Sequence, residues 1–478
     1  MQADVVVVGA GAAGLYAALT ASREGASVLL ISAAPLAETA SYWAQGGIAA
    51  ALAVDDSADL HLADTVAAGR DLVRESAARV LVDEAPPIVI DLEELGVRFD
   101  ADRNGNLALG LEGGHSRRRV AHAGGSATGR RVVRQLSALA VADERVEVWE
   151  GARAARLWMS DGRCVGVVCE DGRAVRGRGV ILATGGMAAL WSRTTNPPGS
   201  VGIGLLLAIE AGAELADLEF VQFHPTAVIG VRGREGFLIT EAIRGEGATL
   251  HGPDGERFVD ELAPRDEVAR ATDNVLRDTG TTHVGLDMRA IDPALFPNVV
   301  NALREAGVEP MRELVPVAPA AHYVMGGIAA DLDGRSRVQG LFAIGESACT
   351  GLHGANRLAS NSLSECFVLG RRAAYAVLGG PPPDDIGTAP DPLPVLIPDR
   401  ETREALWRDA GLVRTAEGLQ RLAESPHPLV RLIAACALAR TESRGAHYRA
   451  DFPRRHDEFD LQHALVGRSA EIAWEQWV

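Results

Sequence analysis

The chain has 478 residues, 47% hydrophobic and 23% charged, an ordinary globular composition with room for two or three domains. Sixty-four acidic residues against 47 basic ones give a net charge of −17, which speaks against a nucleic-acid or anionic-membrane binder while leaving room for a local basic pocket. All 47 basic residues are arginines, so mechanisms that need a lysine Schiff base, pyridoxal-phosphate chemistry included, are excluded.

Asp4-Val-Val-Val-Val-Gly9 reads as a short buried parallel strand. Gly9-Ala-Gly11-Ala-Ala-Gly14 follows, then a helical Ala/Leu-rich run to about Arg23, a break at Gly25 and a second strand, Ser27-Val-Leu-Leu-Ile-Ser32. This βαβ unit predicts an α/β fold with a doubly wound sheet. Val180-Ile-Leu-Ala-Thr-Gly-Gly186 and Gly340-Leu-Phe-Ala-Ile-Gly345 look like further buried strands of the same sheet, far away in sequence. The expected organisation is therefore a discontinuous nucleotide-binding domain (1–220 and 323–380) interrupted by an α+β capping domain (221–322). A linker over 381–398 and a helical C-terminal domain over 399–478 complete it. Seven of the 23 prolines fall in residues 379–398, a linker composition, and residues 400–440 carry helically spaced Leu, Val, Ile and Ala.

The five cysteines (Cys164, Cys169, Cys349, Cys366, Cys436) form no CxxC pair, so no zinc site, no other metal and no disulfide framework is predicted. The N-terminus reads as a strand, not a signal peptide, and apolar runs such as residues 201–209 are about half the length needed to cross a bilayer. A soluble cytoplasmic protein is expected.

The Gly9, Gly11 and Gly14 fingerprint sits between a strand and a helix, the context its mechanism requires. The first glycine permits the tight turn, the second lets a pyrophosphate approach the backbone, and the third allows close helix–sheet packing. Amides at the helix N-terminus, Ala10, Ala12 and Ala13 among them, would meet the phosphate. The acid expected some 20 residues on, which would hold a ribose, is missing: Ser32 and Ala33 stand there. That argues against an ordinary nicotinamide dehydrogenase.

Seven further motifs occur in order: Ser41-Tyr-Trp-Ala-Gln45-Gly-Gly-Ile48, Ala183-Thr-Gly-Gly186, Gln222-Phe-His-Pro-Thr226, Thr240-Glu-Ala-Ile-Arg-Gly-Glu-Gly247, Ala263-Pro-Arg-Asp266, His322-Tyr-Val-Met-Gly-Gly327 and Gly354-Ala-Asn-Arg-Leu-Ala-Ser-Asn-Ser362. With Arg440-Thr-Glu-Ser-Arg-Gly445 they span essentially the whole chain. Together they resemble the flavoprotein family of succinate dehydrogenases, fumarate reductases and L-aspartate oxidases. Glu112-Gly-Gly-His-Ser116 and Gly351-Leu-His-Gly354 resemble its aspartate-oxidising branch. Dehydrogenases of the family link flavin covalently through a histidine at the position of Ala40, so the resemblance implies non-covalent FAD.

The resemblance also implies oxidation of L-aspartate to iminoaspartate with O2 or fumarate as acceptor, the first step toward NAD, with quinolinate synthase as a possible transient partner. Arg265, Glu112, His224 and His322 are the implied catalytic residues, with Gln222, Thr240, Glu241, Arg357 and Ser360 around the substrate. The physical reading agrees. Arginine forks suit two carboxylates, and a carboxylate such as Glu112 tells an ammonium group from hydrogen, the one difference between aspartate and succinate. For the flavin, the glycine loop would hold the pyrophosphate, and Ala40, Ser41, Gln45, Gly46 and Gly47 would line the ring and ribityl chain. Glu346 matches the family's late acid, and Ser362 and Leu363 open a helix facing the flavin. Ala33 and Ile203 replace residues common in the family, which implies looser FAD binding. His61, His115, His122 and His353 carry no argued role. Two competitors remain: a succinate- or fumarate-converting flavoprotein subunit, and a non-catalytic flavin-binding regulator.

Overall fold

The computed structural model describes residues 1–382 and 387–478, so residues 383–386 of the expected linker lie outside it. Five parallel strands form the central sheet in the order Leu341–Ala343, Gly179–Leu182, Val5–Val8, Val28–Ser32 and Val146–Glu150. The first strand thus lies in the middle. Its four valines are almost fully buried because helices or strands cover both faces, which is why the run lacks polar alternation. The helix Ala12–Arg23 packs on the helix Asn361–Leu378, with the Tyr16 and Phe367 rings edge to face at 5.3 Å. Segments more than 300 residues apart in sequence therefore close one nucleotide-binding layer.

Residues 221–324 contribute a separate antiparallel sheet, ordered Val221–Val228, Val315–Val324, Val284–Asp287 and Thr249–His251. The helix Arg265–Thr279 packs against it, and it has its own apolar core around Ile239, Leu250 and Leu286. Its longest strands also reach back to the nucleotide-binding layer, where the Val324 amide donates to Glu346 Oε1 at 3.0 Å. Strand Ile48–Ala49 pairs with Val120–Ala121, which pairs in turn with Leu109–Gly110. This small sheet carries the segment after Gln45 and the loop around Glu112 into one place.

Three helices, Arg400–Asp409, Ala416–Ala423 and Pro428–Ala439, occupy the C-terminal part as the apolar spacing predicts. The strands that follow were not predicted. Gln462–Val466 and Ile472–Gln476 form a hairpin, and the first of them pairs with Leu215–Ala216 in a five-stranded sheet. The C-terminal segment is therefore α-helical only as far as Ala439, with a single 3-10 turn at Asp457–Phe459 beyond it, and its hairpin is built into the body of the protein. A buried charge network secures the junction: Arg440 Nε donates to Glu219 Oε1 at 2.6 Å, and Arg444 Nε to Glu442 Oε1 at 2.7 Å. No described helix is long and apolar enough to cross a membrane.

Candidate active site

The glycine loop follows from backbone geometry. Gly9 has φ +111°, and a Cβ there would lie 2.1 Å from the Ala183 carbonyl oxygen, so only glycine fits. A Cβ on Gly14 would lie 1.9 Å from the Gly9 oxygen, and Gly11 faces the Ser41 hydroxyl. The helix starts at Ala12 on Gly11 with no side-chain cap, the Ala12 amide donating to Ser41 Oγ at 3.1 Å. Ala10 and Ala13 are buried beside it, and Ala40 and Ser41 lie on the short 3-10 turn over the loop. Gly186 comes so close to Glu346 that a Cβ would meet its Oε1 at 2.3 Å. Burial pushes the Glu346 carboxyl up to about 7, a polar group poised for a hydroxyl partner. Ser360 takes a left-handed turn (φ 60°) ahead of the helix that carries Ser362 and the buried Leu363. A helix N-terminus with no cap of its own at the carboxyl end of the central strand, its first amide alone meeting Ser41, a cradle that excludes Cβ atoms and a second helix N-terminus suit a dinucleotide such as FAD. Ala33 is exposed at the end of its strand, and Ile203 borders a remote cavity described below.

Beside this crevice lies a dense cluster of charge. Arg265 starts its helix after Pro264. Its Nε donates to Glu241 Oε2, and one terminal nitrogen donates to Gln222 Oε1 at 3.0 Å. Gln222 Nε2 in turn donates to Asn356 Oδ1 at 2.9 Å and to the Arg357 carbonyl at 3.2 Å, tying the inserted sheet to the motif that carries Arg357. One Arg357 terminal nitrogen donates to Ser362 Oγ at 2.8 Å, and the guanidinium lies 4.3 Å from the Tyr323 ring centroid. Its buried Nε has no hydrogen-bond partner in the structure. A fork with an unsatisfied buried donor is ready for an anion.

His224 and His322 stand 5.2 Å apart, centroid to centroid. Burial, reinforced by the Arg265 and Arg357 charges, pushes both well below the ordinary imidazole range, so both rings are neutral. His322 Nδ1 shares a 2.8 Å hydrogen bond with Thr195 Oγ1, and Asn196 Nδ2 donates to the His322 carbonyl at 2.6 Å. Burial alone would raise the Glu241 carboxyl, but Arg265 and Arg244 hold it low. Thr240 is buried one residue ahead, at the start of the short helix Glu241–Gly245.

Glu112 lies within the same region. Its Oε2 accepts from Ser360 Oγ at 2.6 Å, and its Oε1 faces His122 Nε2 at 3.2 Å. Burial works against its charge, yet His122, Ser360 and Arg265 hold the carboxyl down at about 2. Gly46 lies against both Ser360 and Glu112, the Gly47 amide donates to Ser360 Oγ at 3.1 Å, and Gln45 Nε2 donates to the Leu238 carbonyl at 2.6 Å. The structure thus brings Arg265, Glu241, Gln222, Arg357, His224, His322, Glu112 and Ser360 into one neighbourhood beside the glycine-loop crevice, whereas Ala33 stays exposed at the end of its strand. Sequence reading missed His122, Arg244, Tyr323 and the pair Thr195 and Asn196. Arg244 and Tyr323 sit inside quoted motifs and the other three lie outside them, and in every case the partner becomes visible only in three dimensions. His61 and His115 brace this layer from behind: His61 Nε2 pairs with Asn361 Oδ1 at 2.8 Å, and His115 Nε2 with the Ala359 carbonyl at 2.8 Å.

A cavity of about 620 Å³ lies elsewhere, between the strand Ala154–Ser160, the helices Ile203–Glu210 and Pro428–Ala439, and residues 390–396. It is mostly apolar and lacks the converging charges of the Arg265 cluster.

Residues 4–363 match the FAD binding domain model, and residues 427–477 match the fumarate reductase flavoprotein C-terminal model. L-aspartate oxidase of Caulobacter vibrioides is 47% identical over 94% of this chain and 93% of its own length. L-aspartate oxidase of Agrobacterium fabrum is 45% identical over 94% of this chain and 91% of its own. The chain belongs to the L-aspartate oxidase family. Among solved structures, a quinol–fumarate reductase with menaquinol superposes with a TM-score of 0.90 at 29% identity, covering 99% of this chain and 98% of that one. This family member is a flavin-dependent oxidoreductase, and FAD is its cofactor.

Proposed function

We propose that this protein oxidises L-aspartate to iminoaspartate with non-covalently held FAD. The observation that carries the reading is Glu112: a buried carboxylate held between Ser360 Oγ and His122 Nε2, near enough to Arg265 for that charge to favour its ionised form. A site for a plain dicarboxylate has no use for an added negative charge, whereas an amino dicarboxylate brings an ammonium to meet it. Arg357 and Arg265 take the two carboxylates, helped by neutral His224 and His322 and by Gln222 and Thr240. Glu241 fixes the Arg265 fork through its Nε, so the free end of that fork is aimed by structure already in place. With the substrate held at both ends and at its amine, its Cα hydrogen has one orientation. FAD, when bound, supplies the two-electron acceptor for that hydrogen and its electron pair. The ammonium loses one proton as the C=N bond forms.

The acceptor that restores the cofactor is O2, giving peroxide, or fumarate, giving succinate. The product feeds a quinolinate-forming step and NAD biosynthesis in the cytoplasm, with quinolinate synthase as a transient partner. Residues 221–322 act as a cap over the flavin crevice, whose movement admits substrate. Mixing the holoenzyme with L-aspartate in air is expected to give one peroxide per oxaloacetate, the hydrolysis product of the imine. Under nitrogen, added fumarate is expected to sustain turnover. Oxidation of succinate with no product from aspartate would contradict the proposal and support the dehydrogenase reading.

A further inference from the structure

Beside the Arg265 cluster, Glu112 has a second side-chain partner, the imidazole of His122. His122 leaves the strand Val120–Ala121 and lies across the neighbouring strand Leu109–Gly110. It can do so because residue 110 is glycine: a Cβ there would stand 2.6 Å from the His122 Cε1. The small sheet thus directs the ring at the loop that follows it, and His122 Nε2 reaches Glu112 Oε1 at 3.2 Å. The Glu112 carboxylate is then bracketed, His122 on one oxygen and Ser360 on the other.

We propose that His122 is a positioning residue that carries a proton against Glu112 in the unliganded site and releases it when the substrate's ammonium takes its place. This rests on the assignment of Glu112 to the substrate ammonium. An imidazolium and an ammonium sharing one carboxylate repel each other, and only the imidazolium can discharge near neutral pH. The proton has a way out, because the His122 side chain keeps 19% of its surface exposed, whereas Glu112 keeps 5%. Dicarboxylates without an amine leave the His122–Glu112 pair intact and so exchange no proton. The device separates aspartate from succinate by protonation as well as by shape.

The surroundings favour a charged ring before substrate arrives. Burial opposes the charge, but the hydrogen bond and charge of Glu112, the Asp100 carboxylate and the Val120 backbone raise the His122 imidazole above its ordinary range. Asp100 approaches from the segment ahead of Leu109–Gly110, its amide donating to the His122 carbonyl at 2.7 Å. Beyond Glu112 stand Arg265, from its own helix, and Glu241, whose Oε1 would meet a Cβ on Gly113. Arg265 and Glu241 pair with each other, so their charges largely offset at the ring.

The test is the pH profile of the holoenzyme. KM for L-aspartate is expected to fall about tenfold between about pH 6 and pH 8, while kcat moves little and the inhibition constant of succinate stays flat. In His122→Gln and His122→Asn, retained FAD absorbance serves as the folding check, and the KM slope is expected to vanish. Should both variants fail to hold FAD, the slope difference between aspartate and succinate in the unaltered enzyme decides alone. A slope that persists in a folded variant, or equal slopes for the two ligands, would overturn the proton exchange and leave aspartate oxidation standing. No aspartate turnover in the unaltered holoenzyme would overturn both.

Discussion

Replacing Arg265 by glutamine is expected to slow flavin reduction by L-aspartate by about a hundred- to a thousandfold, the loss typical of removing one preorganised donor from a reacting centre. The side chain is held at two points, by Glu241 at Nε and by Gln222 at one terminal nitrogen, and its second terminal nitrogen makes no hydrogen bond among the described residues. That nitrogen is the unspent half of a fork built to meet an anion. Glutamine can take neither the same reach nor the charge, and it leaves Glu241 buried with only Arg244 for company, 3.7 Å away. The glycine loop is untouched, so the variant is expected to stay yellow. Stopped-flow absorbance under nitrogen measures the rate. A rate within tenfold of the unaltered enzyme would show that Arg265 stands outside the reacting centre.

The second large effect is expected at Glu112. Glu112→Gln keeps the shape and can still accept from Ser360, but it no longer offers a charge to an ammonium. KM for L-aspartate is expected to rise about a hundredfold, the scale of truncating a buried charge pair, with succinate binding unchanged or tighter. The two ligands together make the result specific: a general loss of fold would weaken both. Unchanged aspartate kinetics would remove Glu112 from amine recognition, and with it the difference between this site and one for a plain dicarboxylate.

How much of this was legible in the sequence depends on the range of the interaction involved. The glycine loop could be read because strand, turn and helix are contiguous and each glycine answers a local backbone demand, as the 2.1 Å approach at Gly9 bears out. Membership of the central sheet was partly legible, since three apolar runs ended in glycine, but its strand order was not. The C-terminal hairpin was not. Gln462–Val466 pairs with Leu215–Ala216, some 250 residues away, and no local pattern announces that pairing. The motif strings carried Arg265, Arg357, His224 and His322, but their convergence is a tertiary fact. His122 escaped because its meaning lies in Glu112, ten residues upstream and brought back only by a two-residue strand pairing. Arg244 escaped because the motif containing it drew attention to its neighbour Glu241.

Two guanidinium forks and a carboxylate beside the nucleotide crevice form the arrangement proposed to hold an amino dicarboxylate. The most direct measurement is the absorbance of the oxidised holoenzyme under nitrogen as L-aspartate, and separately succinate, is added. Rapid bleaching by aspartate with little or none by succinate is the predicted result. Bleaching by succinate alone, or by neither, would contradict it.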